Sequence, residues 1–584
     1  MFKLLIKYIK PYWWQAILLV VAVTAQVYCT LSLPAFMASI INEGIVAGNH
    51  DAIWCSGIFM LLLAAASAVG ALVSSYLATY IGANFSKDMR RDVFMKVLNF
   101  NLSDSDKFSV ASLITRTTND INQVQQTAIM ILNMMLRAPL FCVTSLVRAF
   151  QTAPEMSWII AVAVAGTLGT IILIMSLVIP KFKIFQKLLD KITLITRENL
   201  TGLRVIRAFN NEKIEKEKFE KTNQELTKTI IFVDRIIELQ NPLINIIFNG
   251  TALLCIAVGA SLLTKDIAYL GNMTAFSEYV TQFMISILML SILFIMLPRA
   301  SVSAHRINDV LKNPNHFNWK KSTVGVPSVA PSVEFKDVTF SYNGASDAVL
   351  SNISFTAEAG KTTAFIGSTG SGKSTLINLI PRFYEASTGE ILVNGINVKD
   401  FEKDDLMKRI GFVPQRGALF SGTVKSNIAF GAPNATMKEI EKAAEVSESA
   451  EFIKKFADGY NHHIAEGGTN VSGGQKQRLS IARAICKNQE IYIFDDSFSA
   501  LDMKTDKKLR AGLKSITKNS VVLIVAQRIN TIKDADQIVV LDQGKIVGTG
   551  THLELLKNCK VYNEIVKSQY SDAEYAAELK EANA

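Results

Sequence analysis

Cysteine is scarce and unpatterned in this chain. Its six copies (Cys29, Cys55, Cys142, Cys255, Cys486 and Cys559) show no CxxC spacing and no paired histidines, which excludes a zinc module and a disulfide framework. A nucleic-acid footprint is missing too. The net charge is +10, from 61 Lys and Arg against 51 Asp and Glu. The basic excess lies beside long apolar runs rather than on a polar face with interleaved aromatics, so no nucleic-acid partner is expected. A cleavable leader is also lacking: the first apolar run, about 14 to 36, is too long for one and has no small-residue cleavage pattern. That run is expected to stay in the mature protein, with no peptidase-like domain ahead of it.

Apolar sequence is what the chain has in excess. It is 49% hydrophobic, and the apolar residues concentrate before about residue 300. A hydrocarbon core of about 30 Å takes roughly 20 apolar residues to cross. Six runs reach that length, at about 14–36, 56–80, 136–153, 157–180, 243–264 and 275–298. The loops 82–127 and 181–242 are rich in basic residues, among them Lys87, Arg90, Arg91, Lys181, Lys183, Lys187, Arg204, Arg207 and Lys218. Loops 42–54 and 151–156 have none, and the loop after 264 has Lys265 alone. The positive-inside rule places both termini and the two long loops in the cytoplasm, so a multi-pass protein of a bacterial cell membrane is expected, in contact with the lipid bilayer. Helical periodicity runs on from the spans into these loops. The membrane helices should therefore continue into the cytoplasm and turn at about 103–112 and 208–215. Polar tips held on rigid helices far from the membrane are useful if another element docks there.

After Pro298 and Arg299 the apolar runs stop. Residues 312–331, with Pro314, Pro327 and Pro331, read as a linker between a membrane domain over 1–311 and a second domain over 332–570, with 571–584 as a polar C-terminal tail. From 332 onward short β-rich runs alternate with helices. The expected fold class is multidomain, an all-α transmembrane domain of six long helices followed by an α/β P-loop nucleotide-binding domain.

TTAFIGSTGSGKSTLINLI carries the strongest local motif. A strand over 362–366 leads into Gly367, Ser368, Thr369, Gly370, Ser371, Gly372, Lys373, Ser374 and Thr375 and then into a helix, the context that GxxxxGK[ST] requires. The glycines let backbone N–H groups wrap phosphate oxygens at a helix N-terminus, where partial positive charge favours an anion. Lys373 would reach the β- and γ-phosphates, and Ser374 would ligate Mg²⁺. In IYIFDDSFSALD, residues 491–502, four apolar or aromatic residues run straight into Asp495 and Asp496. A buried strand ending in a carboxylate suits a hard cation, which makes Asp495 a candidate metal ligand. Asp496 stands where a water-activating base is expected.

In order along the chain, the P-loop, FVPQ with Gln415, AEGG, VSGGQKQRLSIARA, IYIFDD, SALD and VAQRI resemble the ATP-binding cassette. With six spans ahead, residues from about 10 to 570 resemble a half-transporter of the ABC exporter class. The resemblance implies ATP and Mg²⁺ as cofactors. It implies Tyr342 in FSY as the aromatic stacked on adenine, although an aromatic that ends a strand is otherwise a core residue. Gln415 is implied as a contact to Mg²⁺ that senses the γ-phosphate, and Glu466 in AEGG as a contact to the membrane domain's cytoplasmic tips. Ser472, Gly473, Gly474 and Gln475 are implied to cap a γ-phosphate held in a partner's P-loop, because two cassettes of this family meet head to tail.

Two positions depart from the family pattern. Competent members carry a glutamate after the metal-holding aspartate and a histidine in the switch loop, where this chain has Asp496 and Gln527. The aspartate withdraws its carboxylate by about 1.5 Å, and misplacement on the order of 1 Å can cost about a hundredfold in rate. Glutamine donates a hydrogen bond but carries no charge. Both residues would serve the same water, so the pair reads as a slow site. The intact VSGGQ would complete a competent site on a different partner. The chain thus resembles the impaired-residue subunit of heterodimeric multidrug exporters.

In the sixth span, TAFSEYVTQFMISILMLSILFIMLP, Glu278 and Gln282 lie one turn apart with Met284, Met289 and Met296 deeper. Two readings stand: a substrate pathway lined by adaptable methionines, or a carboxylate near the outer end that pairs with a neighbouring helix. Arg137 is expected to snorkel at the inner interface, and Asn245 and Asn249 to bond between helices. The function expected is a heterodimeric exporter subunit moving amphipathic compounds, drugs or lipids, out of the cytoplasm, with multidrug export foremost. The alternatives are a dedicated lipid or peptide exporter half, and a regulatory ATP-binding subunit whose partner does the transport.

Overall fold

The computed structural model describes residues 2–263, 269–314, 317, 319–320, 330–342, 344–345 and 347–583. Lys265, Pro327 and much of the expected linker lie outside the described residues, as do the side chains of Met296, Pro298 and Arg299. The chain forms two compact units, Met1–Leu98 with Ala111–Asn313, and Asn99–Val110 with Pro314–Ala584.

Among the described residues of the first unit, six helices are long and apolar enough to cross a membrane. They are Leu4–Val46, His50–Leu98, Val110–Thr152, Pro154–Thr201, Glu212–Leu262 and Leu270–Ser291, the last inside a helix that spans Tyr269–Lys312. The second is 49 residues long. At 1.5 Å per residue it reaches about 74 Å, more than twice the hydrocarbon thickness, so much of it stands in water. The turns fall where the periodicity ends. A short helix, Leu102–Phe108, follows the second span, with the Asn101 side chain accepting from the Asp104 N–H at 2.7 Å. Phe209–Asn211 precedes the fifth helix.

The second helix shows how these elements pack. Its buried residues Ser74, Ala78, Ile81, Phe85, Met89 and Val93 recur every three or four positions, while Leu61, Leu62, Val69 and Leu72 are exposed. Such a stripe faces protein on one side and lipid on the other. Gly82 lies on the stripe, and a Cβ there would come within 2.3 Å of Ile129. Small residues permit this closeness, which in lipid supplies much of the association energy. Arg137, expected to snorkel, turns into the bundle instead. It is half-buried, and Nη2 donates to Gln26 Oε1 at 2.9 Å and Ser74 Oγ at 3.2 Å, while its buried Nε has no acceptor among the described residues. Asn245 and Asn249, expected between helices, are exposed on the fifth helix.

Among the described residues of the second unit there are twelve strands: β1 (Ser332–Phe340), β2 (Leu350–Glu358), β3 (Thr362–Gly367), β4 (Thr388–Val393), β5 (Ile396–Asn397), β6 (Ile410–Val413), β7 (Gly422–Thr423), β8 (His463–Ile464), β9 (Ile491–Asp495), β10 (Val521–Val525), β11 (Gln537–Asp542) and β12 (Lys545–Gly550). The main sheet runs β12-β11-β3-β10-β9-β6, parallel from β11 to β6, with β12 an antiparallel edge. A four-stranded antiparallel sheet runs β2-β1-β4-β5, and β7 pairs with β8. The main strands are buried on both faces, and alternate side chains enter different cores. Ile491 and Ile493 of β9 and Leu523 of β10 pack with the antiparallel sheet, while Tyr492, Phe494 and Ile524 pack with helices on the opposite face. That two-sided burial is why IYIF reads as a continuous apolar run rather than an alternation. Residues Asp572–Asn583 form a helix, and Ala582 is buried in the helix-side core.

Candidate functional site

Four segments leave the carboxyl ends of neighbouring strands β3, β10, β9 and β6. Register brings them level: Phe365 pairs with Val525, Val525 with Asp495, and Phe494 with Val413. The carboxyl edge of a parallel sheet is where open α/β folds bind ligands.

The first segment is the glycine-rich loop after β3. At Gly367 a Cβ would lie 2.0 Å from Leu541 O, so the approach of β11 admits no side chain there. Gly372 has φ +93° at the N-cap of the helix Lys373–Leu379, a conformation that glycine enters without penalty. Ser368, Thr369 and Gly370 are exposed, Ser371 is buried, and Lys373 is 9% exposed. Lys373 Nζ donates to Gly367 O at 2.9 Å, to Ser368 O at 2.7 Å and to Ser371 Oγ at 3.3 Å. Burial pushes its ammonium below the ordinary lysine range, against the pull of Asp496 and Asp495. A buried cation held by neutral acceptors beneath an exposed loop of N–H groups fits a phosphate chain.

Ser374 Oγ donates to Asp495 Oδ1 at 2.9 Å. These two oxygens suit a hard cation that keeps its remaining sites for phosphate and water. Asp495 is 6% exposed; burial raises its carboxyl above the usual range, and the hydrogen bond from Ser374 opposes that. Asp496 follows at φ +45°, a region that aspartate tolerates better than most side chains. Its N–H donates to Val525 O at 2.9 Å, and its own carbonyl accepts from Ser499 Oγ at 2.9 Å. Gln527 Nε2 donates to Asp496 Oδ2 at 3.0 Å, and Gln415 Nε2 lies 3.4 Å from the same oxygen. Burial raises the Asp496 carboxyl as well, opposed by the Gln415 amide. Lys373, Ser374, Asp495, Asp496, Gln415 and Gln527 are thus gathered at one edge from positions up to 154 apart (527 minus 373).

Tyr342 stands in the wall of a cavity of about 930 Å³, with Phe340, Tyr384 and Ser387. Its hydroxyl is 2.9 Å from Thr375 Oγ1, and its ring meets Tyr384 edge-on at 5.2 Å. Ser472 caps the helix Gly473–Ile485 in a reciprocal box: the Gln475 N–H donates to Ser472 Oγ at 3.3 Å, and the Ser472 N–H donates to Gln475 Oε1 at 2.9 Å. Ser472 and Gly473 are exposed, and a Cβ at Gly473 would meet nothing within 4 Å. Gly474 is half-buried beside Ala500 O. The motif therefore exposes the positive end of a 13-residue helix at the surface of the domain. Glu466 is exposed at the start of a single helical turn, Glu466–Gly468.

In the first unit, Glu278 Oε1 accepts from Gln282 Nε2 at 3.1 Å, so its partner lies on its own helix rather than on a neighbour. Both line a cavity of about 390 Å³ with Thr30, Pro34, Met37 and Met60. Met289 is half-buried and is not among its lining residues. Sequence reasoning passed over Ser499, although a serine three residues after an acid is a turn signal, and over Tyr384, which no local pattern marks.

A membrane domain of six helices joined to a phosphate-cradling α/β domain defines a nucleotide-driven membrane transporter. Residues 16–287 match the family model described as ABC transporter transmembrane region, and residues 350–499 the one described as ABC transporter. An uncharacterised ABC transporter ATP-binding protein of Mycobacterium tuberculosis is 37% identical over 97% of this chain and 98% of its own length. An uncharacterised counterpart from Bacillus subtilis is 34% identical over 97% and 98%, and an ATP-dependent lipid A-core flippase of Haemophilus ducreyi 27% over 98% of each. A solved bacterial Atm1-family ABC exporter with ATP bound superposes with a TM-score of 0.77 at 22% identity, covering 96% of this chain and 98% of that one, and so shares the fold. This chain belongs to the ABC transporter family. It is a multi-pass membrane protein with a cytoplasmic ATP-binding domain, and it couples ATP hydrolysis to transport.

Proposed function

We propose that this chain is one half of a heterodimeric exporter that moves amphipathic compounds out of the cytoplasm, with a slow ATP site on its own P-loop and an intact signature that serves a different partner. The observation that carries the reading is the Asp496 carboxylate. It is one methylene short of a glutamate and is already engaged by the Gln527 amide at 3.0 Å, with the Gln415 amide at 3.4 Å. The Gln527 amide steadies that short carboxylate but cannot take a proton, so turnover at this site would be slow rather than absent. Ser374 and Asp495 would hold Mg²⁺, Lys373 and the loop N–H groups the phosphates, and Tyr342 the adenine. Ser472, Gly473, Gly474 and Gln475 would face the partner's nucleotide, and Glu466 the cytoplasmic ends of membrane helices.

The cavity beside Glu278 and Gln282 is apolar along Pro34, Met37 and Met60 with one acid, Glu278, among its described lining residues, which suits an amphipathic or cationic solute. Met289 would lie deeper along the same helix. A lipid substrate is the second reading, favoured by the relative that is named a lipid A-core flippase.

Protein purified alone should hydrolyse ATP poorly, and co-expression with a half-transporter that carries the glutamate, the histidine and an altered signature should restore activity. Brisk hydrolysis stimulated by substrate from two copies of this chain alone would refute the heterodimer.

A further inference from the structure

Gln527 is exposed, yet its amide is aimed at Asp496, so something must hold the backbone that carries it. The chain leaves β10 after Val525, and the Ala526 N–H still bonds back to Phe365 O at 3.2 Å. Beyond that point the support comes from the far end of the domain. Gln569, the last residue of the helix Lys560–Gln569, donates from Nε2 to Gln527 O at 2.7 Å and accepts at Oε1 from the Ile529 N–H at 2.9 Å. One carboxamide thus closes a two-bond bracket across residues 527–529, as a neighbouring strand would. Next to it, Tyr570 OH donates to Asn530 Oδ1 at 2.7 Å. Arg510, from the helix Met503–Ile516, donates from Nη2 to Asn530 O at 3.1 Å.

The bracket stands on a rigid base. Tyr562 and Val566 are fully buried two turns and one turn before Gln569, and Tyr562 OH is 2.7 Å from His552 Nδ1. The helix that follows is fastened by Glu578, which pairs with Lys533 at 2.5 Å and lies 3.2 Å from His552 Nε2. Holding two peptide groups on either side of Arg528 fixes the direction of the Gln527 Cα–Cβ bond, and hence where its amide can reach.

We propose that Gln569 is a positioning residue for ATP turnover on this chain, acting through Gln527: its side-chain amide sets the switch loop so that the Gln527 amide meets Asp496. The inference rests on the reading that Gln527 serves the chain's own ATP site. The closing experiment separates failure of that reading from failure of the bracket.

The probe is an azido-ATP labelled at the γ-phosphate and photo-crosslinked to this chain within the full-length transporter in lipid nanodiscs. Single-turnover conversion to ADP is read as loss of label from this chain's own band when the γ-phosphate leaves, with the apparent ATP affinity from the concentration dependence of the initial labelling. Gln569→Leu should slow conversion about ten- to a hundredfold, the range for misplacement on the order of 1 Å. Affinity should stay within about twofold, and the double variant with Gln527→Ala should be no slower than Gln527→Ala alone, since groups acting in series do not add. A bracket that mattered for stability alone would leave conversion by the folded protein unchanged. Losses that multiply in the double variant would mean that Gln569 acts elsewhere and would overturn the proposal. Gln527→Ala slow with Gln569→Leu at the wild-type rate would overturn the bracket and leave the site reading standing. Gln527→Ala at the wild-type rate would overturn both.

Discussion

Replacing Lys373 by methionine tests the phosphate cradle with little disturbance of packing, because the new side chain keeps the apolar stem and loses the ammonium. The residue is 9% exposed, and its nitrogen makes three hydrogen bonds, to Gly367 O, Ser368 O and Ser371 Oγ. Burial already holds its pKa below the lysine range, so the charge is a burden to the empty fold that an anion would relieve. One charge-assisted hydrogen bond is worth about 1.5–3 kcal/mol, which weakens ATP binding about ten- to a hundredfold when lost. At a nucleotide concentration of about 100 Kd, bound ATP stabilises the fold by about 2.7 kcal/mol, and a hundredfold weaker Kd leaves about 0.4 kcal/mol. Thermal unfolding of full-length protein in nanodiscs, with and without ATP, reads this directly. The nucleotide-free Lys373→Met protein should melt at the wild-type temperature or slightly above, and the ATP-induced increase assigned to this chain should nearly vanish. An undiminished increase would refute the assignment of Lys373 to the phosphates. A collapse of the nucleotide-free protein would show that the lysine is there for the fold.

Ser472→Arg places a bulky cation on the exposed cap of the helix Gly473–Ile485 and removes a hydroxyl proposed to face the partner's nucleotide. ATPase activity and dye efflux of the assembled transporter should fall about a hundredfold or more, the usual loss for one preorganised donor, while Lys373→Met leaves part of both. The opposite ranking would mean that the competent and slow sites are assigned the wrong way round. His552 gives a pH dependence. Burial lowers its pKa below the ordinary 6.5, although Glu578 pulls the other way, so as pH falls below 6.5 the unfolded chain takes up a proton that the folded one resists. That contribution to stability is fully present above pH 6.5 and is lost toward the folded pKa. The urea midpoint should fall between about pH 7.5 and 5.5 less steeply in His552→Gln than in wild type, and equal slopes would refute it.

What the sequence could disclose was local. The P-loop is a strand, a glycine turn and a helix in one stretch, so its chemistry is legible before any fold is known. IYIF reads as a strand buried on both faces because four consecutive side chains must all avoid water, and Tyr492 and Phe494 do enter one core while Ile491 and Ile493 enter the other. The cytoplasmic turns were legible because helical periodicity stops there. Long-range choices were not. Arg137 finds acceptors 111 and 63 residues away, and periodicity tells which face of a helix is apolar without telling what lies opposite. Gln569 sits 42 residues beyond Gln527 at the exposed end of a helix, in a stretch with nothing to distinguish it from any polar surface. Glu278 stands between a substrate pathway and a pairing with a neighbouring helix for the same reason, since what faces its carboxylate depends on packing; here it accepts from Gln282 on its own helix.

The two departures from the family pattern are easier to understand as one contact than as two defects. Asp496 is held in a left-handed backbone conformation by Val525 O and Ser499 Oγ, so its short side chain has little freedom in where it points. A glutamine at 527 is long enough to cross the resulting gap and donate to Oδ2 at 3.0 Å. A glutamate at 496 would carry its carboxylate about one C–C bond further, into the space that this amide now occupies. On the proposed reading, restoring the acid alone sets the longer side chain against Gln527. Restoring the switch residue alone leaves a short acid without its donor. Each single reversal would then break a working hydrogen bond without completing a water-activating pair, and the proposed slow turnover would rest on the mutual fit of the two residues rather than on the loss of either one.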